Sequence, residues 1–382
     1  DQADGTLELF NHPTDIPRIE YDAAGAVKGL LIEEARTNLV IYSEDFSNAA
    51  WTKSNTTVTV GSAVSPAGTT TASSFERGST SPSYLGLATS KASSSLPFVV
   101  SIYVKKSVGS YFAMRLQGAY PGRVDVTFSL DTGVVSLGPT PVSGGSGAFS
   151  LASATSEDCG NGWFRFSLSA TTDAWSQVTS YVSFNSNNIS TDGTDSSADS
   201  AGFIYGAQFE AGSFPTSYIP TSGATATRAA DLASIPTSAF GYNSGAGTVV
   251  VEAQRFGTNT YPRSVMIDSG YETDSIGLGA WGLLTSLSSL IKAGNVTQAS
   301  MNTGNVGTSA FKNSLAYKEN DFAASRDGGA VLTDTSGVVP TGLTTLRIGR
   351  NALKEQFFNG HIKSIQYYPR RLSNAQLQEL TT

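Results

Sequence analysis

Two histidines, one cysteine and a scatter of carboxylates are the side chains from which this 382-residue chain would have to build catalysis. His12 precedes Pro13 and His361 follows a turn glycine, and neither stands in a nucleophile motif such as Gly-x-Ser-x-Gly. Cys159 has no second cysteine to pair with, so it reads as a small residue beside a strand. His/Cys spacing of the zinc kind is absent. Hydrolysis of a glycosidic bond needs two carboxylates across a cleft. Glu33 and Glu34 are adjacent and point to opposite faces of an extended chain. Asp268, Glu272 and Asp274 bracket Gly270 and read as a loop. Acids brought together from different strands or subunits stay open, but no catalytic residue is assigned. Asp192, Asp195 and Asp199 could offer hard oxygen ligands to calcium. They lie outside any EF-hand pattern in a Gly/Ser-rich stretch that reads as a solvated loop, so no metal or cofactor is expected.

Binding chemistry is better supplied. Sugars present apolar C–H faces and hydroxyl rims, so their sites combine a flat aromatic with short polar side chains. Tyr261, Tyr271 and Trp281 fall in the loop-rich stretch 256–284 beside Asn259, Asp268 and Asp274. Tyr120 and Trp175 occupy loop-like positions earlier in the chain. These residues are the candidate carbohydrate-binding set, with the loops around Tyr261, Tyr271 and Trp281 placed first.

The elements that must position them are strands. Only 14% of residues are charged, Gly numbers 39, and Ser and Thr take the polar positions. Val124, Val126, Phe128 and Leu130 alternate with Arg123, Asp125, Thr127 and Ser129, the pattern of a strand with one buried face. The runs at Val100–Val104, Phe112–Leu116, Phe164–Leu168 and Phe203–Phe209 repeat it, with turn clusters and no helical period between them. The expected fold is all-β: two antiparallel β-sandwich (jelly-roll) domains in tandem with a short C-terminal helix. Asp327-Gly-Gly329 predicts a hairpin turn. Ser373 with Gln376 three residues on predicts a capping box, with Leu372 stapled against Leu377. Residues 1–38 read as an arm, 39–219 as the first module, 220–229 as a linker and 230–382 as the second module.

The net charge of −7 and the lack of a Lys/Arg cluster argue against nucleic acid as a partner. No apolar run is long enough to span a bilayer, and no secretory signal opens the chain, so membrane insertion is not expected.

The segment Gly29-Leu-Leu-Ile-Glu-Glu-Ala-Arg-Thr-Asn-Leu-Val-Ile-Tyr-Ser-Glu-Asp-Phe-Ser-Asn-Ala-Ala-Trp51 resembles the opening of jelly-roll modules in bacteriophage tail fibres and head spikes. Gly160-Asn-Gly-Trp163 resembles a turn-strand step of those modules, and Tyr205–Gly212 with Pro215–Pro220 resembles their final strand and exit. Gly360–Leu380 is similar to the last strand and terminal helix of a laminin-G/concanavalin A-like lectin module. The resemblance implies a carbohydrate-binding-module-like jelly roll followed by a lectin-like sandwich, with Trp51 and Trp163 in the core. It implies a virion-surface fibre or spike whose partners are a host surface glycan, other virion proteins and further copies of itself, commonly as trimers. It also implies a chain that continues upstream of Asp1. Adhesion without catalysis is the expected role. A polysaccharide depolymerase and a purely architectural spacer are the alternatives, and the Glu-x-Asp-x-x-Glu run of many concanavalin A-like glucanases is missing.

Overall fold

Period-two alternation buries one face of each strand, and the strands pair so that these faces meet. The computed structural model describes residues 15–22, 24–79, 82–142, 148–186, 200–257, 262–280 and 286–382. Two units divide the chain: one is built mainly from 36–228, the other mainly from 27–35 and 229–382, with short earlier pieces shared between them. The architecture is all-β and antiparallel throughout, with a single α-helix among the described residues, at the C-terminus.

In the first unit two six-stranded sheets form a sandwich. One runs in the order Val135–Val142, Arg123–Ser129, Tyr111–Gln117, Gln177–Asn185, Tyr84–Ser90, Thr52–Ser54. The other runs Ser150–Asp158, Trp163–Thr171, Pro97–Val108, Ala201–Ala211, Ala72–Arg77, Thr56–Ala63. Phe112, Met114, Val124, Val126 and Phe128 from the first sheet pack on Ile102, Val104, Phe166, Leu168 and Phe209 from the second. Phe128 and Phe166 stack with ring centroids 4.3 Å apart. Trp51 and Trp163 are buried as well, and so is Cys159.

A buried polar network closes this unit. Asn38 Nδ2 donates to the carbonyls of Ala207 (3.1 Å) and Ile219 (2.7 Å), and its Oδ1 accepts from the amides of Val40 (3.0 Å) and Phe209 (3.1 Å). Gln208 Oε1 accepts from Ile219 N (2.7 Å), and Glu210 accepts from Thr216 N and Oγ1 (2.8 and 2.7 Å). The segments entering and leaving the sandwich are thereby held to strand Ala201–Ala211. A short ladder of Arg36–Asn38 with Ala226–Arg228 continues the closure.

In the second unit a seven-stranded sheet runs Ile19–Tyr21, Val27–Ile32, Gly360–Tyr368, Ala246–Arg255, Phe311–Lys318, Phe322–Arg326, Leu332–Asp334. It faces a six-stranded sheet of Ala233–Pro236, Thr345–Ile348, Arg263–Asp268, Ser275–Ala280, Ser286–Ala293 and Val296–Asn305. Part of the segment read from sequence as an arm is therefore a strand here: Leu30, Leu31 and Ile32 pair with Ile362, His361 and Gly360. Arg18 anchors it, donating to Glu33 (2.9 Å) and to Asp231, while Glu33 N donates to Asp231 Oδ2 (2.8 Å). The predicted hairpin and capping box are both present, and Leu372 and Leu377 of the terminal turns are buried against Ala316 and Ala323.

Phe166→Ala should lower stability by about 3–5 kcal/mol, because a fully buried ring leaves a cavity its neighbours cannot fill; chemical denaturation measures it, and an unchanged midpoint contradicts it. A second outcome concerns acid. Burial works to raise the Glu20 carboxyl, but the hydrogen bond with His361, and after it nearby positive charge that includes His361 and Lys28, outweigh it and hold it at about 2, below the ordinary 4.5. A depressed carboxylate stabilises the fold above its unfolded value and loses that stabilisation on protonation. Melting temperature of the wild type should therefore fall between pH 4.5 and 2. His361→Ala should remove that part of the acid slope, and parallel curves for the two proteins contradict the assignment.

Candidate functional site

The sheet of the first unit that carries Val124 and Phe128 inward presents their strand neighbours outward. Because pairing is in register, Asp125, Arg115, Tyr181, Gly86 and Thr52 form one row across five strands. Arg115 grips Asp125 in a two-pronged ion pair, Nε to Oδ1 at 2.6 Å and Nη2 to Oδ2 at 3.0 Å. Arg123 Nε adds a third donor to Asp125 Oδ2 at 3.1 Å. The Tyr181 ring lies over Gly86: a Cβ there would come within 2.8 Å of Tyr181 Cδ1. Tyr84 meets Tyr181 edge-on with centroids 4.9 Å apart. Burial, with Tyr84 beside it, pushes the Tyr181 hydroxyl up against the opposing pull of Thr179 and Arg115, so it stays a hydrogen-bond donor at neutral pH.

The next row is Arg123, Gln117, Thr179 and Ala88. It is more open, and the Gln117 amide and Arg123 Nη2 bond to no other described side chain. Beyond it two loops rise from the sheet end. Tyr120, 79% exposed, tips the turn between Tyr111–Gln117 and Arg123–Ser129; Trp175, 52% exposed, precedes Gln177–Asn185. Asp173, only 3% exposed, joins them: Oδ2 accepts from Ala119 N at 3.1 Å and Oδ1 from Trp175 N at 3.2 Å. Lys91 Nζ donates to the Asp173 carbonyl (2.8 Å) and to those of Ala92 and Ser94, and its ammonium lies over the Phe98 ring. Burial lowers the Lys91 pKa against the attraction of Asp173. Arg123 Nη1 reaches Pro121 O at 3.5 Å, linking the turn to the charged row. The result is a polar face with a buried Arg115–Asp125 pair, half-buried tyrosines beside it and two exposed aromatics at its end. Such a surface can stack on sugar rings and hydrogen-bond their rims.

Tyr120 and Trp175, expected from sequence as binding candidates, are thus on one sheet end. Asp125, Arg115, Arg123, Gln117, Tyr84 and Tyr181 were not singled out as binders. Their signal was the outward parity of the alternating strands, which the Arg123-x-Asp125 spacing already displays. In the second unit Tyr271 stands 68% exposed on the turn before Ser275–Ala280. Asp274 on the same turn accepts from Gly294 N at 2.8 Å. Asp268 is buried and paired with Arg347 through two contacts of 2.6 and 2.9 Å, which removes it from ligand chemistry. Asn259, Tyr261 and Trp281 lie outside the described residues, as do His12, Asp192, Asp195 and Asp199. Elsewhere in the first unit Tyr42, Glu44, Asp45, Pro220, Thr221 and Ser222 line an open pocket, where Glu44 Oε1 accepts from the hydroxyls of Tyr205 and Tyr218 at 3.1 Å each.

No family model matches the chain, and no curated protein does. Among solved structures it is similar to the CBM40 of a Ruminococcus gnavus IT-sialidase bound to α2,3-sialyllactose, at 16% identity and TM-score 0.32, over 36% of this chain and 83% of that one. It is similar to domains LG4–5 of the mouse laminin α1 chain at 11% identity and TM-score 0.28, over 79% and 90%. Sheep galectin-11 in complex with glycerol follows at 10% identity and TM-score 0.23, over 36% and 96%.

Gly86→Ala tests the geometry of the face directly. The added methyl must displace the Tyr181 ring, so the through-space contacts between the Tyr84 and Tyr181 rings should vanish in NMR spectra. Melting temperature should drop by only about 2–4 °C, as expected for a mild change in a unit of this size. Retained ring contacts contradict the arrangement.

Proposed function

We propose that this chain is a non-catalytic glycan-binding protein, and that the outward face of the first unit, ending in Tyr120 and Trp175, is its principal site. One observation carries the reading: two exposed aromatics are tied by a buried carboxylate to the end of a sheet face bearing Arg123, Gln117 and Tyr181. Exposed rings offer flat apolar faces, and a sugar's C–H face is the partner that also satisfies the hydrogen-bonding row beside them.

The finer reading is adhesion from a virion surface, as a fibre or spike that holds host polysaccharide and repeats its weak site in several copies, commonly three. It rests on the phage-like motifs at Gly29–Trp51, Gly160–Trp163 and Tyr205–Pro220. Two tandem sandwich domains, with a second glycan site around Tyr271, Asp274, Asn259, Tyr261 and Trp281, belong to the same proposal. The depolymerase alternative gains little from the buried acids. Glu33, Asp125, Glu210 and Asp268 each face an arginine, and Asp173 faces backbone amides.

Calorimetric titration of the chain with capsular and exopolysaccharide fragments tests the proposal. Affinity should be about millimolar to micromolar per site. Tyr120→Ala and Trp175→Ala should each weaken binding about fivefold or more with unchanged melting, because exposed rings make few core contacts. Release of new reducing ends from the polysaccharide contradicts the non-catalytic reading, and wild-type binding by both variants moves the site elsewhere.

A further inference from the structure

Resting on the glycan reading of this face, we infer that Asp173 is a positioning residue that joins Tyr120 and Trp175 into one platform, matched to an internal run of at least two consecutive sugar rings and not to a lone terminal sugar. Each loop by itself would be a mobile surface segment, and ordering it on binding would consume affinity. Asp173 removes that cost in advance. Its two carboxylate oxygens are divided, one per loop, between the amides of Ala119 and Trp175, the residues at or next to the exposed rings. Its own carbonyl is held by Lys91, whose ammonium lies over the core ring Phe98. The 118–122 turn is tightened by Gly122 N donating to Ala119 O (2.8 Å) and Gly118 N donating to Gly122 O (3.1 Å).

Gly118 is part of the same device. Any Cβ at Gly118 would collide with the Asp173 carboxylate, so the glycine makes room for the group that spans the loops. One aromatic ring covers roughly one sugar face. Two rings held in constant relation therefore select two neighbouring residues of a chain, and the open row of Gln117, Thr179 and Arg123 beside them leaves both ends of that chain free to run on.

The test uses the full chain with hexasaccharides of chitin, cellulose and hyaluronan and with their component monosaccharides. Wild type should bind at least one hexasaccharide about a hundredfold more tightly than its monosaccharides, the gain expected when a second ring is engaged without new ordering cost. Asp173→Asn and, independently, Gly118→Ala should weaken hexasaccharide binding about tenfold and should cause no further loss in a chain already carrying Tyr120→Ala and Trp175→Ala. Losses that add in that background, or equal affinity for monosaccharide and hexasaccharide, overturn the inference. A ligand-free measurement separates this from the glycan reading. Spin labels at Tyr120→Cys and Trp175→Cys, in a Cys159→Ser background, should give a narrow distance distribution that Asp173→Asn or Gly118→Ala broadens. An unchanged distribution overturns the positioning role whatever binds. A distribution that broadens while no hexasaccharide binds overturns the sugar platform and the glycan reading with it, and leaves the coupling of the loops standing.

Discussion

Everything in the first unit depends on a single buried amide. Asn38 makes four hydrogen bonds with backbone of three separate segments: its own entry strand, strand Ala201–Ala211 and the exit through Ile219. A buried polar group left without a partner costs about 1–3 kcal/mol, so four simultaneous bonds favour one arrangement of those segments over any slipped one. Gln208 and Glu210, two and four residues apart from Gly206 on the same strand, extend the demand along the exit. Arg36 completes it by donating to Ala211 O, and Gly212 leaves the space its guanidinium fills. The segments 36–40 and 205–221 at the two ends of the unit are, in physical terms, the residues of this closure.

The candidate site is the other side of the same bargain between core and solvent. In a strand, alternate side chains must leave the core. On Arg123–Ser129 and Tyr111–Gln117 those outward positions hold Arg123, Asp125, Arg115 and Gln117. Charge placed on a sheet face is tolerated where it is paired, and the Arg115–Asp125 fork meets that condition. Tyr181 can lie flat because its cross-strand neighbour is Gly86. Strands therefore set the row, while the exposed rings stand on loops that Asp173 hydrogen-bonds. Binding surfaces gain from this division, since little order remains to be created when a ligand arrives.

The acids show the same economy of purpose. Glu33 with Arg18, Asp268 with Arg347 and Asp125 with Arg115 are charges neutralised within their own unit. Groups held in this way are fixed in orientation by their partners, which suits architecture.

Much of the fold was legible in the chain itself. Alternation at Val124–Leu130 and Phe164–Leu168 told which residues enter the core, because a strand offers only two faces and water penalises the wrong choice. Ser373 and Gln376 announced the terminal helix because capping is local chemistry between residues three apart. The exposure of Tyr120 and Trp175 was likewise readable from their turn-rich surroundings. What the sequence could not give was lateral adjacency. Nothing near Val27–Ile32 states that it will lie beside Gly360–Tyr368, more than three hundred residues on. Nothing near Asp173 states that its carboxylate will reach Ala119. Nor does Tyr181 carry a sign that its neighbours are Arg115 and Gly86. Strand order and register arise from many long-range contacts satisfied at once, and only the folded chain sums them.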